Sequence, residues 1–329
     1  MKASIRGLTL MFVGAALVQG PAFAQEKVLF LNDWLPAGDK APAYIAKVKG
    51  LFAAEGFEVT IQSGRGSSDV VTKLATGAAD MGQGGISALL QAKAQSNVPV
   101  TAIYSIYTKQ PDAIFTAEGS GISSLKDLMG KKIATATFSA SNVSWPLVLQ
   151  ANGVDPAKVE LLKVDPGTLA PMLASGKVDG TISWVTTAPV FEGPLSEVKK
   201  KLAIIPWSTQ GFVGYGLSLF ASDKMLKERP ETVRKFVRAW VKATELANAD
   251  PVVAGTSVKA IVPEVTAETA AKQWASAIPL IVNEISQKDG MGAFEPKLLA
   301  TTWEWVAKAQ NIPVSSFDPE KAVDRSFIK

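Results

Sequence analysis

Residues 28–62 read VLFLNDWLPAGDKAPAYIAKVKGLFAAEGFEVTIQ. The opening apolar run, 28–31, breaks at Asn32-Asp33-Trp34 and reads as a buried strand. Residues 43–54 then set Tyr44, Val48, Leu51 and Phe52 on one helical face, and Gly56 stops the helix. Residues 57–62 form the next strand. A strand, a helix and a strand in so short a span make a crossover unit. Outward from it the pattern repeats. A helix over 67–78 closes at Gly77, a short strand follows over 79–83, then a helix over 86–94 and a β-rich run over 98–107.

A second set starts near Pro111. Strands are predicted over 113–116, 132–137, 159–164 and 178–184, with helices over 124–129, 144–152 and 168–174 between them. After further strands at 202–206 and 215–221 the character changes. Residues 230–249 form a long amphipathic helix with Val233, Phe236, Val237, Trp240 and Val241 in register, and Pro230 sits at its start. The remainder to Phe317 reads as helices, with Trp240, Trp274, Trp303 and Trp305 at core-like spacing. This alternation predicts an α/β fold of mostly parallel sheets with helices on both faces.

The chain has 329 residues, 47% hydrophobic and 19% charged, enough for two folded domains and too apolar for extended disorder. It contains neither Cys nor His. That excludes disulfides, Cys/His zinc sites, thiol nucleophiles and Ser-His-Asp catalysis. A net charge of +4 is only mildly basic, and no Lys/Arg run reads as a nucleic-acid arm.

The first residues read as an address. Lys2 and Arg6 precede an apolar stretch over 8–18, a Gly20-Pro21 break and Ala22-Phe23-Ala24. This is the pattern of a signal peptide over 1–24, cleaved after Ala24. The apolar stretch is short for a membrane span, which needs about 20 residues. The expectation is an exported protein of the periplasm.

Leu74-Ala-Thr-Gly-Ala-Ala-Asp80 is echoed by Leu173-Ala-Ser-Gly-Lys-Val-Asp179, as two lobes built on one plan would give. With Asp33-Trp34-Leu-Pro36, residues 41–59 and the segment from Gly121 to Ile133, these motifs carry a resemblance. The chain is similar to the periplasmic solute-binding proteins of ABC importers, in the nitrate, sulfonate, taurine and pyrimidine-precursor group (SsuA-like and THI5-like proteins). The resemblance implies the two-lobe periplasmic binding protein fold of type II. Lobe 1 would be 25–107 with 215–329, and lobe 2 would be 108–214. A small-molecule ligand would bind between them and close a hinge, and a membrane permease with its ATPase would take the closed form. The resemblance implies a monomer with no cofactor, no metal and no nucleic-acid partner.

Ligands of open α/β sheets bind at the C-terminal ends of strands. That rule selects Asp33, Trp34 and Lys40 after the first strand, with Tyr44 on the helix beyond. After the second strand it selects Arg65, Ser67 and Ser68, where glycines and a helix start admit a ligand. Gly85 and Ser87 repeat the design after the third. In lobe 2 it selects the loop of Ser139, Ser141 and Asn142, with Asp165 and Trp184, while Tyr107 and Tyr215 sit at the expected hinge crossings. Several of these positions also suit plain helix capping.

Lys40, Arg65 and the helix starts suit an anion, and Trp34, Tyr107 and Trp184 suit a ring. The expectation is therefore an aromatic or heteroaromatic organic anion. The pyrimidine-binding branch tends to carry Asn and His where this chain has Ala37 and Lys40. Its yeast-type synthases need His and a Cys-rich motif, both missing here. Two alternatives stay open: an exported hydrolase using Asp33, Asp69 or Asp165, and a sensor of the same fold.

Overall fold

The computed structural model describes residues 25–328, so the expected signal segment lies outside the described residues. Two five-stranded sheets form the frame. The first joins β1 (Glu26–Asn32), β2 (Phe57–Ser63), β3 (Met81–Gly85), β4 (Val100–Ser105) and β10 (Leu217–Ser222), in the order β2-β1-β3-β10-β4. The second joins β5 (Asp112–Ala117), β6 (Lys132–Ala136), β7 (Glu160–Val164), β8 (Gly180–Trp184) and β9 (Leu202–Pro206), in the order β7-β6-β8-β5-β9.

Each sheet is mixed, and in the same way. β1 runs parallel to β2 and β3, while β10 is antiparallel to both β3 and β4. β6 runs parallel to β7 and β8, while β5 is antiparallel to both β8 and β9. One strand in each sheet is thus inverted among four that share a direction. The inverted strands follow the two crossings between sheets, residues 106–111 and 207–216, so each crossing delivers the chain into a strand of opposite sense.

The central strands of both sheets are buried on both faces, which is why they read as apolar runs, while the edge strands β2 and β7 are partly exposed. Along β1, Phe30 joins one core and Leu31 the other; along β5, Ile114 and Phe115 divide likewise. The Pro230–Ala249 helix lies on the Phe30 side, with Phe236 stacked 5.2 Å from Phe30 and Trp240 at 5.6 Å. Trp240, Trp274 and Trp303 are buried packing residues, and Trp305 packs half-buried against Phe212 of the second lobe.

Several predicted elements shift. The helix over 43–54 is two pieces, Ala41–Val48 and Leu51–Ala54, because Gly50 takes a positive φ of 68° between them. The third strand falls two residues later, so Gly84 and Gly85 end the strand rather than follow it. The helix predicted from residue 144 starts at Ser141, which puts Ser141 and Asn142 in its first turn rather than in a loop. A helix at Ala188–Glu197 escapes the sequence pattern because Pro189, Gly193 and Pro194 mask it. Among the described residues, no helix is long and apolar enough to cross a membrane.

Candidate functional site

The two sheets face each other across a cleft that is shut by direct contact. Gly66 lies so close to the 138–141 segment that a Cβ there would stand 2.3 Å from the Phe138 carbonyl oxygen. A Cβ at Gly85 would stand 2.5 Å from that of Ala140. Through these bare positions the Ser68 N–H donates to the Phe138 carbonyl at 3.2 Å, and the Ser87 hydroxyl to the Ala140 carbonyl at 3.5 Å. The aromatic residues are exchanged as well. Trp34 of the first lobe packs against the core of the second, and Trp184 of the second packs against the core of the first.

At the centre lies a small chamber of about 20 Å³, room on the scale of one water. Asp33, Asp39, Lys40 and Ser67 line it from the first lobe, and Ser139, Ser183, Trp184 and Thr187 from the second. Strand ends explain the convergence. Asp33 follows β1, Ser67 opens the helix after β2, and Trp184 ends β8.

Charge is concentrated here. The Lys40 ammonium lies 3.1 Å from Asp33 and 3.6 Å from Asp39, with all three residues buried. It also sits 4.6 Å above the Trp184 ring, a cation–π arrangement. Burial would push Lys40 down, but the two carboxylates outweigh it and hold the ammonium above its usual range. Asp33 accepts from the Ser67 hydroxyl at 2.7 Å, and that hydroxyl accepts from the Gly85 N–H at 2.9 Å. Asp39 accepts from the Thr186 hydroxyl at 2.7 Å, while its other oxygen, Oδ1, is buried without a hydrogen-bond partner.

Behind Trp184 is a third buried carboxylate. Asp112 accepts from the Ser141 hydroxyl at 2.5 Å and from the Trp184 indole N–H at 3.1 Å. Burial pushes its carboxyl up to about 6, and these two bonds restrain the rise.

Outside the chamber, across Trp34, Ser183 and Thr187, lies an open groove of about 410 Å³. Its walls include Leu35, Pro36, Leu169, Val190, Phe191 and Val265, and its one charged wall residue is Glu264.

The cleft therefore gathers Asp33, Trp34, Lys40, Ser67, Gly85, Ser139 and Trp184 from the sequence expectations, with Ser141 one bond behind through Asp112. Others lie elsewhere. Tyr44 is a core residue that accepts from the Asn32 amide at 3.0 Å. Tyr107 is fully buried and donates to the Asp39 carbonyl at 3.3 Å, backing the chamber without lining it. Tyr215 anchors the C-terminal region by donating to the Ala293 carbonyl and accepting from the Glu295 N–H at 2.6 Å. Arg65 points to solvent with 65% of its side chain exposed, next to Asp69 and over the Phe138 ring. Ser68 and Ser87 serve interlobe contact, and the Asn142 amide ties its helix start to β6, accepting from the Thr135 hydroxyl at 2.8 Å and donating to the Ala136 carbonyl at 2.9 Å. Asp165 is exposed and caps a short turn through Gly167, in a separate surface hollow.

Lys40 is already paired with two carboxylates, and Arg65 stands outside, so neither is a free cation for an anionic ligand. Asp39, Asp112, Ser183 and Thr186 are the polar residues that the strand-end rule missed.

Residues 38–254 match the family described as NMT1/THI5 like. A 4-amino-5-hydroxymethyl-2-methylpyrimidine phosphate synthase of Saccharomyces cerevisiae is 28% identical over 259 residues, covering 76% of this chain and 75% of that protein. The riboflavin-binding protein RibY of Chloroflexus aurantiacus is 27% identical over 312 residues, 92% of this chain and 86% of its own. Among solved structures, the alkanesulfonate-binding protein SsuA from Xanthomonas axonopodis pv. citri superposes with a TM-score of 0.72 at 16% identity, covering 92% of this chain and 100% of that one. The periplasmic aliphatic sulphonate binding protein SsuA from Escherichia coli gives 0.67 at 14%, covering 91% and 98%. The fold is thus that of the periplasmic binding proteins.

Proposed function

The chain belongs to the NMT1/THI5-like family, and on that premise we propose that it is the solute-binding component of an ABC importer. It captures a small organic molecule between its lobes and presents the closed form to a membrane permease and its ATPase. The observation that carries this reading is the chamber itself. Buried polar groups from both lobes meet in it, and the Thr186–Asp39 bond joins the lobes across it. Such contacts exist only when the lobes are shut, which is how closure becomes coupled to a ligand held between them.

The lobes divide near 107/108 and 214/215, where the two crossings act as the hinge. Export by the segment 1–24 places the protein in the periplasm as a monomer. A relative named for riboflavin binding spans 92% of this chain, which supports a binding role.

A synthase reading is favoured by the yeast relatives. Against it stands the chemistry of the site. With no His or Cys in the chain, its only candidate nucleophile or base of nitrogen type in the chamber is Lys40, and two carboxylates hold that ammonium protonated. A thermal-shift screen with mass detection separates the two. A ligand at a hundred times its Kd adds roughly 2.7 kcal/mol to stability. Stabilisation by a compound recovered unchanged supports the importer reading, and consumption of that compound overturns it.

A further inference from the structure

The charges of the cleft specify more than its location. The chamber holds two carboxylates, Asp33 and Asp39, against one ammonium, Lys40, so it carries excess negative charge before any ligand enters. Asp39 is 2% exposed, and its Oδ1 is a buried acceptor with no donor. An acceptor of that kind is costly to leave unmet and calls for an N–H or O–H group. One positive element near the chamber, the start of the Ser67–Ala75 helix, is already answered. Its Ser68 N–H goes to Phe138, and Asp69 occupies its first turn.

The groove continues this character. At about 410 Å³ it has the size of a small-molecule site, its walls are largely aliphatic and aromatic, and its one charged lining residue, Glu264, is again acidic. Trp34 lines both spaces and offers a flat face between them.

Building on the solute-binding reading, we propose that the ligand is an organic cation. A protonated amine or amidinium reaches the Asp39 carboxylate in the chamber, and an apolar body lies along Trp34 in the groove. Entry of the cationic end parts the Asp39 side of the chamber, and the ligand supplies the donor that Asp39 Oδ1 lacks.

The test is titration calorimetry with two matched probe pairs, phenylbutylammonium against phenylbutyrate and benzamidinium against benzoate. The wild-type protein is expected to bind the cations and not the anions. Asp39→Asn should weaken cation binding roughly tenfold or more, the loss expected for a charged hydrogen bond. Glu264→Gln, at an exposed position where folding is not at stake, should weaken it roughly twofold to fivefold. Anion binding unaffected by Asp39→Asn would overturn the inference and leave the solute-binding reading standing. Failure of both cations to bind the wild-type protein would overturn the inference as well. Chemical turnover of a probe would instead overturn the solute-binding reading beneath it.

Discussion

Thr186 donates its hydroxyl to the Asp39 carboxylate at 2.7 Å, from the turn after β8 in one lobe to the turn after β1 in the other. Both residues are buried, so water does not compete for the bond. It has two consequences. It fixes one oxygen of Asp39 and leaves the other, Oδ1, buried without a donor. It also ties the two lobes together in the closed form.

Thr186→Val keeps the shape of the side chain and removes the donor. The buried charged acceptor then loses its neutral partner, at about 1.5–3 kcal/mol. Urea unfolding should show a loss in this range, and small-angle scattering should show a larger open fraction. An unchanged midpoint and an unchanged scattering profile would mean that the bond does not hold the lobes together.

Gly85→Ala probes closure by shape alone. The backbone at Gly85 has φ −64°, which alanine adopts without strain. The added methyl meets Ala140 of the opposite lobe at 2.5 Å, a contact that cannot be made without movement. Each lobe should fold as before, with the pair held open and the radius of gyration raised. A variant as compact as the wild type would show that the 138–141 segment yields instead of the hinge.

Much of this architecture is legible in the sequence, and the exceptions share a cause. Apolar runs located most strands and glycines marked helix ends between them, and the strand-end rule led to Asp33, Ser67, Ser139 and Trp184. Strand direction is different, because long-range pairing sets it and no local pattern encodes it. Asp112 opens β5, the wrong end of a strand for a ligand under that rule. Inversion of β5 pairs Asp112 with Trp184 and so brings that opening residue to the cleft. Asp39 hid for another reason, as one acidic residue in a three-residue turn next to the more conspicuous Lys40. Arg65 and Asp165 lie outside the chamber, since sequence position says nothing of where a side chain points.

Asp112 predicts a specific pH dependence. Its folded pKa is raised by burial to about 6 from 3.8. A raised group contributes stability that is fully present below its unfolded pKa and is lost as pH rises through the folded one. The window is therefore pH 4 to 6, and the loss is roughly 3 kcal/mol at most. Asp112→Asn keeps an oxygen for Ser141 and Trp184 and does not titrate. Relative to the wild type it should gain stability between pH 4 and pH 7.5, measured by denaturant unfolding at both. A difference between the two proteins that stays flat with pH would falsify the assignment.

Lys40 sets the balance of the whole chamber, and its removal is the sharpest test of that balance. Lys40→Met keeps most of the stem that lies over Trp184 and deletes the ammonium. Asp33 and Asp39 are then two buried carboxylates with no cation between them. Breaking a buried pair from one side costs about 3–5 kcal/mol, because the uncompensated charge remains. If charge rather than packing is responsible, Lys40→Met combined with Asp39→Asn must recover a large part of the stability lost by Lys40→Met alone. Strict additivity of the two substitutions, read from a double-mutant cycle, would show that Lys40 acts through its aliphatic stem and that the carboxylates do not depend on it.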